Sequence, residues 1–126
     1  EVVIAARNRD SGLALAKQYG FQWQPHPEGI QADILVNVTP LGMAGGTQSD
    51  TLAFSQPMVE QAQVVFDVVA LPPETPLIRL AQALDKQIIS GAEVIALQAV
   101  EQFVLYTGVR PDADLVNEAA AFARAG

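Results

Sequence analysis

Ile34-Leu35-Val36-Asn37-Val38-Thr39-Pro40-Leu41-Gly42-Met43 is the stretch whose reading decides the fold. Its opening run, Ile34 to Val38, is apolar and β-branched and lacks the strict alternation of a half-exposed strand. Both faces are therefore expected to be covered, as in a parallel sheet. Pro40 restricts Thr39 to extended geometry, and Gly42 permits a tight bend or a close backbone approach. Val2 to Ala6, Val64 to Val69 and Ile88 to Ile89 read as strands of the same kind. Helical patterns alternate with them. Ser11 to Tyr19 is expected to be a helix capped by Asp10 or Ser11 and closed by Gly20. Thr75 is placed to cap a helix beginning at Pro76, where the missing N–H costs nothing, with an apolar stripe of Leu77, Leu80, Ala81 and Leu84. Two more helices, over about 93–107 and 112–125, are expected to pack on a sheet. Gln22 to Gly29, Pro40 to Asp50 and Leu71 to Glu74 read as loops. This alternation predicts an α/β fold with a mostly parallel sheet.

Composition narrows the function. With 126 residues, half of them hydrophobic and 17% charged, the chain suits one domain with a buried core. Seven basic residues against fourteen acidic ones give a net charge of -7, which argues against nucleic acid or an anionic membrane as the main partner. There is no cysteine, which removes disulfides, thiolate nucleophiles and Cys-type zinc sites, and the single histidine, His26, cannot build a His-rich metal site. No apolar run approaches the ~20 residues of a membrane span. A soluble, cytoplasmic domain for a small ligand, with no metal, is expected. Glu1 leads straight into a β-branched run, so the chain is expected to be a fragment of a longer protein.

In parallel α/β sheets, ligands bind beyond the carboxyl ends of the strands. Arg7-Asn8-Arg9-Asp10, Thr39 to Met43, Ala70 to Pro73 and Ser90 to Glu93 are therefore the loops that matter. An arginine after the second strand of a dinucleotide fold accommodates a 2′-phosphate, so Arg7 and Arg9 favour NADP, whereas Asp10 would favour NAD. By itself the same turn reads first as a solvated helix start. The Thr39-Pro40 loop suits a flat ring laid against it, or is an ordinary strand exit. Ser90-Gly91-Ala92-Glu93 opens a helix whose first N–H groups are free for a ligand, while Glu93 serves the helix dipole or more. Gln98 points at a substrate hydroxyl, satisfies a backbone group, or faces water. His26, in Pro25-His26-Pro27, reads as a surface residue, and Tyr19, Phe21 and Trp23 as packing. No Ser–His–Asp or paired-carboxylate arrangement stands out.

Taken in order, these loops resemble the C-terminal, nucleotide-binding domain of the shikimate dehydrogenase family. The family's Asn-Arg-Thr motif is matched by Asn8-Arg9-Asp10, and its Asn-Ala-Thr-Pro-x-Gly-Met loop by Asn37 to Met43. Its Asp-x-x-Tyr-x-Pro-x-x-Thr-Pro-Leu segment is matched by Asp67 to Leu77, its Gly-x-x-Met-Leu-x-x-Gln-Ala helix by Gly91 to Ala99, and its Phe-x-x-Tyr-Thr-Gly close by Phe103 to Gly108. The resemblance implies a Rossmann-like, doubly wound parallel sheet over 1–126, a single partial dinucleotide-binding domain whose first strand and glycine-rich loop are missing. In the strand order 3-2-1-4-5-6, that strand would lie between the runs at Val2 to Ala6 and Ile34 to Val38.

The resemblance further implies an NADP-dependent shikimate or quinate dehydrogenase-like oxidoreductase of aromatic amino acid biosynthesis, with NAD as a possible cofactor. Asn8 and Arg9 would sit at the adenosine phosphate, with Arg7 a lesser candidate and Asp10 beside the 2′-phosphate. Thr39, Pro40, Val69 and Gly91 would line the nicotinamide side, and Gln98 would reach a shikimate- or quinate-like substrate. The family's catalytic lysine–aspartate pair belongs to its other domain, so this chain is expected to hold no catalytic residue, to be inactive alone, and to self-associate through its open strand edges. Three positions depart from the family. Its tyrosine at the substrate carboxylate is Ala70 here, its Gly-Leu-Gly-Met turn is Gly91-Ala92-Glu93-Val94, and its threonine is Asp10. Ala70 and Glu93 favour an alternative, a non-catalytic dinucleotide-binding regulatory module. A purely structural or oligomerising domain is the third reading.

Overall fold

The computed structural model describes residues 1–125. Its strands are β1 (Val3–Ala5), β2 (Gln22–Gln24), β3 (Ile34–Asn37), β4 (Val64–Asp67) and β5 (Gln87–Ser90). Its helices are α1 (Arg9–Tyr19), α2 (Gln56–Gln61), α3 (Pro76–Ala83), α4 (Gly91–Thr107) and α5 (Ala113–Ala125). All pairings are parallel, as the unalternating apolar runs predicted. They form two separate sheets, β1-β2 and β3-β4-β5. The strands at Val2 to Ala6 and Ile34 to Val38 thus do not pair with each other, and β1 and β3 each keep one unpaired edge.

Local chemistry accounts for the helix ends. The Asn8 side chain accepts the Ser11 N–H at 3.0 Å and caps α1, so the cap is neither Asp10 nor Ser11 as the sequence suggested. Asparagine is as good an N-cap as aspartate, and one starting the helix at Arg9 adds two residues to its start. Gly20, at φ 70°, closes α1 in the left-handed conformation. Thr75 caps α3 through its hydroxyl, with Pro76 at the first helical position. α4 starts at Gly91, two residues before the helical pattern becomes visible, because Ser90 supplies the cap.

Two elements escaped the sequence reading. β2 lies in a segment read as a loop. Gln22-Trp23-Gln24 has little strand character of its own, and its pairing with β1 makes it a strand, with Trp23 Nε1–H donating to the Ala6 carbonyl at 3.1 Å. α2 has six residues, too few to show a helical period, and buries Met58 and Val59.

The core lies on one face of β3-β4-β5. Leu35 and Val65 pack there with Met58 and Val59 of α2, with Ala62, and with Leu77 and Ala81 of α3. The other face departs from expectation, since Ile34 is 59% exposed and Val36 44%. An apolar run marks a strand built to be covered on both faces, but the residues present cover only one of them. α4 carries apolar residues on every side, leaving Ile95, Leu97 and Leu105 exposed. α5 lies against α4, where a helix packed on the sheet was expected. No described helix is long and apolar enough to cross a membrane.

Candidate functional site

Parallel register brings Asn37, Asp67 and Ser90 into one row at the carboxyl ends of β3, β4 and β5. The loops that leave this row are the ones the sequence singled out. Asn37 and Asp67 are essentially fully buried and hydrogen-bond to each other, Asn37 Nδ2–H donating to Asp67 Oδ1 at 3.0 Å. The Asn37 side-chain oxygen, Oδ1, accepts the Thr39 N–H at 3.0 Å and the Thr39 hydroxyl at 2.7 Å, and the Leu41 N–H reaches Thr39 Oγ1 at 3.3 Å. Asp67 Oδ1 also accepts the Val69 N–H at 3.1 Å, while Oδ2 accepts the buried Thr75 hydroxyl at 2.6 Å.

The two loops also meet directly, the Ala44 N–H donating to the Leu71 carbonyl at 2.9 Å. Gly42 has φ 84°, which strains any side chain, and a Cβ there would sit tightly, 3.2 Å from Pro76 Cδ. Thr39 and Pro40 are exposed at this end of the sheet, whereas the Val69 side chain is only 6% exposed. Val69 therefore offers its backbone, rather than its side chain, to anything bound there.

Gly91 is buried where α4 starts. A Cβ would run into the Val68 carbonyl oxygen and lie 2.6 Å from that of Val69. Close packing of α4 on the β4 exit thus explains this glycine without any ligand. Glu93 folds back on Ser90 in a capping box. Ser90 N–H and Oγ–H donate to Glu93 Oε2 at 2.8 and 2.9 Å, and Glu93 N–H donates to Ser90 Oγ at 3.3 Å. The Ser90 amide, then the Ser90 hydroxyl, hold the Glu93 carboxyl below its ordinary pKa. The carboxylate serves the helix end it belongs to.

Arg7, Asn8, Arg9 and Asp10 stand exposed at the carboxyl end of β1. Asn8 spends its carbonyl oxygen on the α1 cap and keeps its amide N–H groups for other partners. Among the described residues the one ion pair is Arg110 with Glu101, so Arg7 and Arg9 have no carboxylate partner there. Gln98 is exposed on α4. Thr39, Val69 and Gly91 therefore meet at one end of β3-β4-β5, while Arg7 to Asp10 belong to the other sheet. His26 is exposed in its loop, Tyr19 stacks on Phe21 at 5.8 Å, and Trp23 is half-buried. Between α4, α5 and the Ala70 to Pro73 loop runs an apolar cavity of about 620 Å³, lined by Ala70, Leu71, Ile95, Phe103, Leu115 and Val116 among others.

Sequence reasoning missed the joint role of Asn37, Asp67 and Thr75. The available signal was a lone acid ending an otherwise apolar strand, a position where a carboxylate needs partners.

No family model matches the chain. It is 58% identical over 121 residues to a shikimate dehydrogenase-like protein of Haemophilus influenzae, covering 96% of this chain and 45% of that protein. A solved shikimate 5-dehydrogenase-like protein superposes with a TM-score of 0.96 at 56% identity, over 98% of this chain and 46% of its own. Shikimate 5-dehydrogenase of Thermus thermophilus, solved in complex with NADP(H) and shikimate, superposes with a TM-score of 0.79 at 29% identity, over 98% and 46%. The chain spans about half the length of the curated relatives it matches. Its fold is Rossmann-like.

Proposed function

We propose, because the chain belongs to the shikimate dehydrogenase family over the half that it spans, that its parent protein is a cytoplasmic, NADP-dependent oxidoreductase acting on a shikimate- or quinate-like cyclic hydroxy acid. The observation that carries this reading is the β1–α1 turn, where exposed Arg7 and Arg9 stand without carboxylate partners among the described residues. That turn follows a parallel strand, where a 2′-phosphate is bound in dinucleotide folds. The residues present fit the cofactor at this end. Arg9 and the free Asn8 amide would hold the adenosine phosphate, with Arg7 beside them and Asp10 nearby. Thr39, Pro40 and the Val69 backbone would take the nicotinamide side, Gly91 would let α4 start close behind it, and Gln98 would face the substrate. Bound NADP would supply the hydride acceptor. This chain would orient and shield, and Asp67, buried with both oxygens engaged, is not placed to act as a general acid or base.

Replacing Arg9 by alanine in the full-length protein is expected to weaken NADP at least tenfold and to leave NAD almost unchanged. A charge-assisted contact of this kind is worth about 1.5–3 kcal/mol. Titration of both cofactors checks it. An equal loss for both makes Arg9 structural, and a wild-type preference for NAD transfers the selectivity to Asp10.

Shikimate itself is expected to be a poor substrate, because Ala70 has no hydroxyl to offer a carboxylate and lines an apolar cavity. A missing hydrogen bond to a charged group lowers kcat/KM by about one to two decades. Ala70→Tyr is expected to recover part of this in steady-state assays, and wild-type turnover at the level of ordinary family members would refute the assignment. Ala70 is also the observation that favours the second reading, a dinucleotide-binding regulatory module without turnover. Glu93, which had pointed the same way, is tied up in its capping box. Binding of NADP with no turnover of shikimate, quinate or related acids would select that module.

The isolated 126-residue chain is expected to self-associate through the unpaired edges of β1 and β3, and to be inactive. Sedimentation reads this as a mass above that of one chain. A stable monomer that binds NADP at micromolar concentration would overturn it.

A further inference from the structure

We propose that Asp67 is a positioning residue, which holds the Thr39 to Gly42 loop and the Val69 to Leu71 loop in a single arrangement through Asn37 and Thr75. Its place in the reaction rests on the oxidoreductase reading, in which both loops line the nicotinamide side.

The hydrogen-bond polarity of the network has one solution. Asn37 Nδ2 spends one hydrogen on Asp67 and directs the other at the Leu41 carbonyl, 3.4 Å away, while its Oδ1 accepts two bonds from Thr39. Asp67 must then accept from Asn37, from the Val69 N–H and from the Thr75 hydroxyl. Thr75 Oγ1 accepts the Ile78 N–H in turn, which leaves its own hydrogen for Asp67. An ionised carboxylate accepts at both oxygens, whereas an amide in its place presents one oxygen and one donor. Asparagine at position 67 would therefore leave without an acceptor either the Thr75 hydroxyl hydrogen or the Asn37 amide and Val69 N–H groups.

Stability alone does not call for such a group. Leu35, Val65 and Leu77 close packing beneath it, and buried polar networks are often replaceable by apolar side chains without loss. The network does what an apolar plug could not. It attaches named backbone N–H groups of both loops, at Thr39 and Val69, to one buried point. Among the described residues, no buried side-chain polar atom is left without a partner, so a loop that leaves this arrangement must break a satisfied bond.

Full-length wild type, Asp67→Asn, Thr75→Val and the conservative Thr75→Ser distinguish this role from a general one. Hydrogen exchange needs no ligand. In Asp67→Asn and Thr75→Val, the amides of Thr39, Leu41 and Val69 are expected to exchange faster, by at least tenfold beyond any change at Leu35 and Val65, while Thr75→Ser keeps the wild-type pattern. In shikimate or quinate oxidation with NADP, kcat should fall at least tenfold in the first two variants. Affinity for adenosine 2′,5′-bisphosphate, which carries no nicotinamide, should stay within twofold. Acceleration shared equally by loops and core strands, or a parallel loss of adenosine bisphosphate binding, would make Asp67 merely structural, and unchanged loop exchange would overturn the proposal outright. A wild-type protein silent with every acid tested refutes the oxidoreductase reading instead, and the exchange pattern still decides whether Asp67 holds the loops.

Discussion

Replacing Asp67 by alanine is expected to lower the unfolding free energy of the full-length protein by about 3–5 kcal/mol, the largest effect of any single substitution considered for this chain. The carboxylate is completely buried and accepts from Asn37, Val69 and Thr75. Its removal strands three donors in a site with no free acceptor, and each stranded buried group costs about 1–3 kcal/mol. The Thr75 hydroxyl can rotate and a water can enter the space, which keeps the total near the lower half of that sum. Against a usual stability of about 5–15 kcal/mol, this is enough to shift a urea midpoint by more than 1 M, with m near 1–3 kcal/mol/M. A loss below about 1 kcal/mol would mean that the donors find other partners and that the network does not lock the carboxyl ends of β3 and β4 together.

Gly91→Ala is expected to destabilise by about 3 kcal/mol, at the upper end of what overpacking costs. The added methyl would strike the Val68 carbonyl, with Val68 C and Val69 O both 2.6 Å away. These are backbone atoms of the β4 exit and cannot swing aside, so the whole start of α4 must move. The better helix propensity of alanine, about 1 kcal/mol at most, does not offset this. Gly12→Ala makes a useful contrast. There the methyl meets the Trp23 indole, with Cδ1 at 2.5 Å, and a side chain yields more readily than a carbonyl. Denaturation of both variants should rank Gly91→Ala as the worse. If Gly91→Ala proves neutral, α4 does not sit tightly on Val68 and Val69, and the glycine is then better explained by a ligand approaching the helix start.

Much of the fold was legible in the chain because its signals are local. The runs at Val2, Ile34, Val64 and Ile88 announce parallel strands by their lack of alternation, and Thr75-Pro76 and Gly20 mark helix ends by backbone chemistry that needs no distant partner. The loops at their carboxyl ends followed from strand direction alone. Asn8, Gly91 and Glu93 were legible as important, and the structure adds a local role for each that the sequence did not specify. The structure employs Asn8 as a cap, Gly91 as a point of close packing and Glu93 as half of a capping box.

By itself, then, the sequence determined most of the element types, the parallel pairing of the strands and which loops leave their carboxyl ends, all of which depend on side-chain period and on residues a few positions apart. Tertiary structure alone decided the rest. Gln22-Trp23-Gln24 became a strand because β1 lies beside it, and Ile34 and Val36 were left exposed because nothing present covers their face. Asn37, Asp67 and Thr75 came together because parallel register aligns the ends of β3 and β4 and α3 starts beneath them. Asn37 and Asp67 are thirty positions apart, and a hydrogen bond across that separation is a property of the packed sheet that no local pattern encodes.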